Sequence, residues 1–158
     1  MSTPISDTGH KGLQTKFGFV DEDLKTPAHD SLMYWIDDNI PEILAEVFDL
    51  TEVPKILAKR WEFVLKDKRE SLLGVADMYV HARSAGKEHA LFIEAKPKIR
   101  ALGELIRQIN IYKSGSEFKV QTYLGDYLWP KWLVISPEDR FADMLRQQSI
   151  LFQKSPAN

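Results

Sequence analysis

Hydrophobic residues follow helical and strand spacing in alternation along the chain, and their order predicts a mixed α/β fold. Thr26 and Pro27 provide a helix cap and a first-turn proline, and helical spacing then continues to about Val47, which predicts a bent first helix. Apolar runs with strand character follow at residues 56–66, 72–80, 90–96 and 131–135, and helical spacing returns at residues 99–113 and 138–152. The predicted order is helix, three strands, helix, strand, helix.

The composition fits one globular domain. The chain has 158 residues, of which 44% are hydrophobic and 28% are charged, enough for a single core. Residues 27–153 are expected to form this domain. Residues 1–26 are largely polar and lack periodicity, which predicts a mobile arm, and the tail from residue 154 is expected to fray.

Charged residues interrupt two of the predicted strands. Asp77 stands inside an apolar run, so its side chain must face either water or a partner. Glu94 and Lys96 are two residues apart and project to the same side of the next strand, which ends at Pro97. The short polar linker at residues 83–88 predicts an antiparallel hairpin that brings Asp77 beside Glu94.

Two carboxylates and an ammonium group at one place suit a hard divalent cation. Mg²⁺ takes oxygen ligands and keeps several waters, and the carbonyl of Ala95 offers it a further ligand between Glu94 and Lys96. A cation held by these groups polarises a phosphate oxygen, while Lys96 orients the attacking water or offsets developing charge. This set therefore points to phosphodiester hydrolysis with Mg²⁺, or with Mn²⁺ in its place.

These residues resemble the signature of the PD-(D/E)XK nuclease superfamily. Asp77 followed by Glu94-Ala95-Lys96 is similar to its central motif, although Ala76 stands at the position of the name-giving proline. Gly74-x-x-Asp77 and Gln108-x-x-x-Tyr112 are similar to the pattern of the RecB-like branch. The resemblance covers about residues 40–136.

The resemblance implies a restriction endonuclease-like αβββαβ core, in which a mixed central sheet is flanked by helices. It implies that Asp77 and Glu94 bind the metal and that Lys96 assists catalysis. It also implies that Gln108 and Tyr112, on the helix after the third strand, line the site.

The resemblance further implies a metal ligand from the first helix, usually Glu and in some RecB-like members His. Glu46 is the preferred candidate. Glu42 lies in the first turn after Pro41, where the helix dipole alone accounts for a carboxylate. His29 is the third candidate, and its position suits a role near the helix N-terminus.

Charge and composition narrow the range of partners. A net charge of −2 gives no overall attraction to nucleic acid, so DNA contacts must come from a local patch, for which Lys98, Arg100 and Arg107 are the candidates. The absence of cysteine excludes disulfides, zinc-thiolate sites and an iron–sulfur cluster. No apolar run forms a signal peptide or spans a bilayer, so a cytoplasmic protein without a membrane partner is expected.

The sequence thus predicts a Mg²⁺-dependent deoxyribonuclease. The alternative is a catalytically silent module of the same fold that binds DNA or a protein, with the carboxylates as relics, and RNA is a further candidate substrate. A chain without an accessory domain is expected to act as a homodimer or beside a partner such as a helicase. The aromatic segment after residue 120 is a candidate surface for that contact.

Overall fold

The computed structural model describes residues 26–116 and 118–157, so the predicted arm, apart from Thr26, lies outside the described residues. Within these ranges the elements are α1 (Pro27–Asp38), α2 (Ile40–Phe48), β1 (Lys55–Lys66), β2 (Leu72–Ser84), β3 (Lys87–Ala95), α3 (Leu102–Gly115), β4 (Val120–Gln121), β5 (Tyr127–Leu128), β6 (Lys131–Ser136), α4 (Ala142–Gln147) and β7 (Leu151–Lys154). The mixed α/β class expected from the hydrophobic pattern is confirmed.

A five-stranded mixed sheet with the order β1-β2-β3-β6-β7 forms the centre of the molecule. β2 pairs antiparallel with both β1 and β3, whereas β6 pairs parallel with β3 and β7 pairs parallel with β6. β6 is parallel to β3 because α3 carries the chain back to the end of the sheet at which β3 begins. β4 and β5 form a separate two-stranded hairpin.

Helices cover both faces of the central sheet. The α1-side core lies between the sheet and the first two helices, and it includes Ile36, Ile43, Met78, Ile93 and Leu133. The α3-side core lies on the opposite face beneath α3 and α4, and it includes Ala76, Tyr79, Phe92, Ile109 and Leu145. Consecutive residues of β3 alternate between the two cores, as the period of a strand requires.

The turn between β2 and β3 is tighter than the sequence predicted. Ala85 and Gly86 alone form it, with φ values of 52° and 77°, and both strands extend into the predicted linker at residues 83–88. Positive φ at both central residues gives the twist that matches a two-residue hairpin. The predicted antiparallel hairpin is therefore present, with longer strands than expected.

The end of the chain differs from the prediction. The helix expected at residues 138–152 is wrong, because α4 ends at Gln147 and β7 then adds an edge strand to the sheet. Ser149, with φ 60°, lies in the turn that reverses the chain between them. The predicted fraying is also wrong at Ser155, which is buried and donates its N–H to the Ser136 carbonyl over 3.0 Å.

Gly74 sets how closely α3 approaches the sheet. The hydroxyl and ring of Tyr112 occupy the space that a Cβ atom on Gly74 would need. Tyr112 is itself 1% exposed, and its ring lies 5.6 Å from that of Trp132 on β6. Any side chain at position 74 therefore displaces Tyr112 from the α3-side core.

We predict that Gly74→Ala lowers the free energy of unfolding by about 1–3 kcal/mol, because overpacking forces a buried aromatic ring to move. Urea denaturation measures the effect. Gly103→Ala is the matched control, because no atom lies within 4 Å of an added Cβ there, and a helical alanine at this position is expected to stabilise by about 0.4–1 kcal/mol. Equal stability of Gly74→Ala and the parent would contradict the close contact between α3 and β2.

Candidate active site

A shift in the alternation of β2 determines where Asp77 points. Ala76 packs in the α3-side core, whereas Met78 packs in the α1-side core. Residues two apart in a regular strand share one face, so the strand must change faces between these two residues. Asp77 lies at the change, and its carboxylate is directed toward α1 rather than into the α3-side core.

The neighbouring strand changes faces at the same level. Trp61 belongs to the α1-side core, and Phe63 packs against the α3-side core. Between them Glu62 has a φ of 53°, a left-handed conformation that costs a residue with a side chain on the order of 1–3 kcal/mol. The register of β1 with β2 places Glu62 across from Asp77, so the irregularities of the two strands coincide beside the candidate site.

Asp77 and Glu94 lie where the backbone pairing of β2 with β3 stops. The ladder ends at the pair Met78↔Ile93, and the next connections run through side chains. The N–H of Asp77 donates to Oε1 of Glu94 over 3.3 Å, and the N–H of Ala95 donates to Oδ2 of Asp77 over 2.7 Å. The structure thus places Asp77 next to Glu94, as the hairpin predicted, and both side chains are almost fully buried.

His29 is the residue of the first helix that contacts this pair. Its Nε2 lies 3.2 Å from Oδ1 of Asp77, and its side chain is buried. Thr26 holds the start of the helix through a hydrogen bond from the His29 N–H to Oγ1 over 3.0 Å. Glu42 and Glu46 are exposed on α2. The geometry therefore favours His29 over Glu46, which the sequence analysis had preferred.

A signal for His29 was present in the helical spacing. His29, Leu32, Met33 and Ile36 form the buried stripe of α1, as expected for positions three, four and seven residues apart. A histidine on such a stripe must find a polar partner when it is buried. The identity of that partner depends on how α1 docks on the sheet.

The charges around Asp77 favour its ionised form. Burial raises the pKa of this carboxyl, but the charge and hydrogen bond of His29, the charge of Lys96 and the Ala95 N–H together hold the pKa below its usual value. Asp77 is therefore a carboxylate in an environment of positive charge. Such a group keeps the negative charge that a cation requires.

Lys96 follows β3 directly and remains partly exposed. Its N–H donates to the Ile135 carbonyl over 2.9 Å, which fixes the backbone beside the site. Next in the loop, the Ile99 N–H donates to Oε2 of Glu138 over 2.9 Å. No sequence pattern indicated this role of Glu138, which holds the loop that carries the exposed Lys98 and Arg100.

Gln108 and Tyr112 form a pair on α3. Nε2 of Gln108 donates to the Tyr112 hydroxyl over 2.6 Å, and that hydroxyl lies against Gly74, three residues before Asp77. Tyr112 therefore links the two predicted motifs, because it contacts Gly74 of Gly74-x-x-Asp77 and accepts the hydrogen bond from Gln108 of its own motif. Arg107 on the same helix is exposed.

The donor groups fit a hard cation. Among the described residues, no three His, Asp or Glu side chains are arranged as a preformed metal-binding group. Mg²⁺ is commonly held by one or two carboxylates, and waters complete its coordination shell. Asp77 and Glu94 are the two carboxylates available here. A carboxylate has about four acceptor sites, so the hydrogen bonds to His29 and Ala95 leave capacity on Asp77. The Ala95 carbonyl faces the same neighbouring strand as its N–H.

We predict that Asp77 makes the free energy of unfolding fall as the pH is lowered in the acid range. Its pKa in the folded protein lies below the ordinary value of 3.8, so its stabilising contribution is complete above that value and is lost as the pH falls through the lowered pKa. Urea unfolding in EDTA, from about pH 6 to about pH 2, measures this loss, which Asp77→Asn should remove. Asp143→Asn is the control, because that carboxylate is 93% exposed. An unchanged acid dependence in Asp77→Asn would contradict the assignment.

Comparisons with protein-family models, with curated proteins and with solved structures give no match to the chain. In the part of the chain that the structure describes, no helix has the length and apolar character needed to cross a membrane. The functional interpretation therefore rests on the chemistry and geometry of the residues around Asp77.

Proposed function

We propose that the protein is a metal-dependent nuclease of the PD-(D/E)XK type that hydrolyses phosphodiester bonds in DNA. The observation that carries this proposal is the convergence of Asp77 and Glu94 at the point where β2 and β3 stop pairing. Burying two carboxylates is costly unless charge or hydrogen bonds compensate it. A role in holding a cation accounts for their burial beside each other and near the charge of Lys96.

The arrangement of the elements supports the same family. Two helices, an antiparallel group of three strands, α3 and the parallel strand β6 follow the order expected for an αβββαβ core. The motif residues occupy the second and third strands and the following helix. The additional strand β7 extends the edge of the sheet beyond this proposed core.

The residues of the site have different roles in hydrolysis. Asp77, Glu94 and the carbonyl of Ala95 would hold Mg²⁺ or Mn²⁺, which would supply positive charge to polarise a phosphate oxygen. Lys96 reaches the same region with a partly exposed side chain and orients the attacking water. His29 holds the carboxylate of Asp77 in one orientation through its hydrogen bond.

Other residues position the substrate and the helix. The exposed Lys98, Arg100 and Arg107 contact backbone phosphates, which makes DNA binding weaken as salt increases. Gln108 and Tyr112 hold α3 against β2 beside Asp77. A cytoplasmic location, and action as a homodimer or beside a helicase, stay predictions from the sequence.

We predict that the purified protein cleaves DNA with Mg²⁺ or Mn²⁺ and not with EDTA. Lys96→Gln should lower the cleavage rate by about 10²–10⁴-fold, because it removes the group that orients the water, while leaving Mn²⁺ binding intact. Asp77→Asn should abolish both cleavage and Mn²⁺ binding. Gel assays on linear, circular and single-stranded DNA measure the rates, and calorimetry measures the metal binding.

Lys98→Gln is the matched control, because it removes an exposed ammonium two residues away from Lys96. It should change the salt dependence of binding and leave the maximal rate within a few-fold of the parent. Equal rates for the parent and Lys96→Gln would remove Lys96 from the mechanism. A folded parent that leaves every DNA substrate intact would overturn the proposal, and cleavage of RNA alone would reassign the substrate.

A further inference from the structure

Two adjoining cavities lie near the C-terminal end of α3, and neither Asp77 nor Glu94 lines them. The first has a volume of about 330 Å³, and its lining includes Lys113, Lys131, Arg146 and Ile150. The second has a volume of about 180 Å³. Both are lined by Lys113, Pro130 and Trp132, so the two cavities form one continuous surface.

We propose that this cavity pair binds single-stranded nucleic acid, with bases in the two cavities and the connecting phosphate at Lys113. The proposal refines the function proposed above, because it names the form of nucleic acid that the protein holds. It rests on the lining of the cavities, and binding there requires neither metal nor cleavage.

An exposed aromatic ring supplies a surface against which a base can stack. Trp132 is buried and its ring already stacks on Phe92 at 4.5 Å between centroids, so it forms the floor between the cavities rather than a free stacking face. Trp129 lines the second cavity and is 62% exposed, an unusual position for so large an apolar side chain. Stacking on such rings is tolerant of base sequence because every base has a π face.

The charge of the lining complements a phosphate backbone. Nζ of Lys113 lies 3.2 Å from the Ser149 carbonyl, which holds the ammonium at the boundary of the cavities. Arg146 donates to the Phe152 carbonyl over 3.4 Å and also pairs with the exposed Asp143 over 3.4 Å, so Lys113 supplies the charge on which the proposal rests. Among the described residues that line either cavity none is acidic, although the whole chain has a net charge of −2.

This combination favours a single strand over a duplex. In a duplex the bases stack on one another and are paired, so their faces are not available to a protein ring. Partly open pockets that combine an aromatic ring with basic side chains accept unstacked bases and leave the phosphates at the surface. The cavity volume of about 330 Å³ is at the lower end of the range for small-molecule sites, which suits one nucleotide unit.

The cavity pair lies on the same face of the sheet as Glu94. Phe92 lines the second cavity and is two residues before Glu94 on β3, a separation of about 7 Å along the strand. Tyr112 also lines that cavity and accepts the hydrogen bond from Gln108. The second cavity therefore lies close to Glu94 along β3, whereas the Asp77 carboxylate is directed toward α1.

The test measures binding to Asp77→Asn protein in EDTA, so that cleavage does not interfere. Fluorescence anisotropy compares a labelled oligothymidine with a duplex of the same length, and acrylamide quenching reports the exposure of the tryptophans. We expect the single strand to bind at least about tenfold more tightly and to protect tryptophan fluorescence. Trp129→Ala should weaken this binding by about tenfold, and Lys113→Gln should lower its salt slope by about 0.7.

Lys68→Gln is the matched control, because this exposed lysine lies in the turn between β1 and β2. It should leave single-strand binding unchanged. Equal affinity for duplex and single strand, or unchanged binding in both Trp129→Ala and Lys113→Gln, would overturn the proposal. Single-strand binding by a parent protein that never cleaves would reject the nuclease and keep the cavity assignment.

Discussion

The burial of two carboxylates between β2 and β3 is the constraint on which the local structure depends. Asp77 and Glu94 are 2% and 1% exposed, and an uncompensated buried charge would cost several kcal/mol. The compensation comes from the end of the backbone ladder, where N–H groups that would bond to carbonyls donate to carboxylate oxygens instead. Against the effect of burial, the charges of His29 and Lys96 and the N–H of Ala95 hold the pKa of Asp77 below its usual value.

Other features follow from this arrangement. Asp77 reaches His29 because β2 changes faces between Ala76 and Met78, and β1 accommodates the change through the left-handed Glu62. On the opposite face Gly74 leaves space for Tyr112, and Tyr112 fixes Gln108. The spacing of the motif residues therefore reflects physical contacts. Gly74 lets α3 approach the sheet, and the side chain of Asp77, three residues later, is directed toward α1.

Much of this was predictable from local pattern. Strand-like runs separated by a short polar linker predicted the hairpin, and the hairpin predicted that Asp77 and Glu94 lie together. The role of His29 was not predictable with the same certainty, because it depends on how α1 docks across the sheet. β7 was missed because four residues are too few for periodicity to separate a strand from a helix end. The cavities beside Lys113 join residues distant in sequence, so no local pattern indicates them.

The proposed nuclease function requires a divalent cation at the buried carboxylates, and metal binding tests this requirement most directly. Calorimetric titration with Mn²⁺ should show one or two sites in the parent protein, and Glu94→Gln should lose the binding while remaining folded by circular dichroism. Exposed Glu46→Gln should bind as the parent does. A parent that binds no Mn²⁺, or a Glu94→Gln variant that binds it with unchanged affinity, would contradict the account.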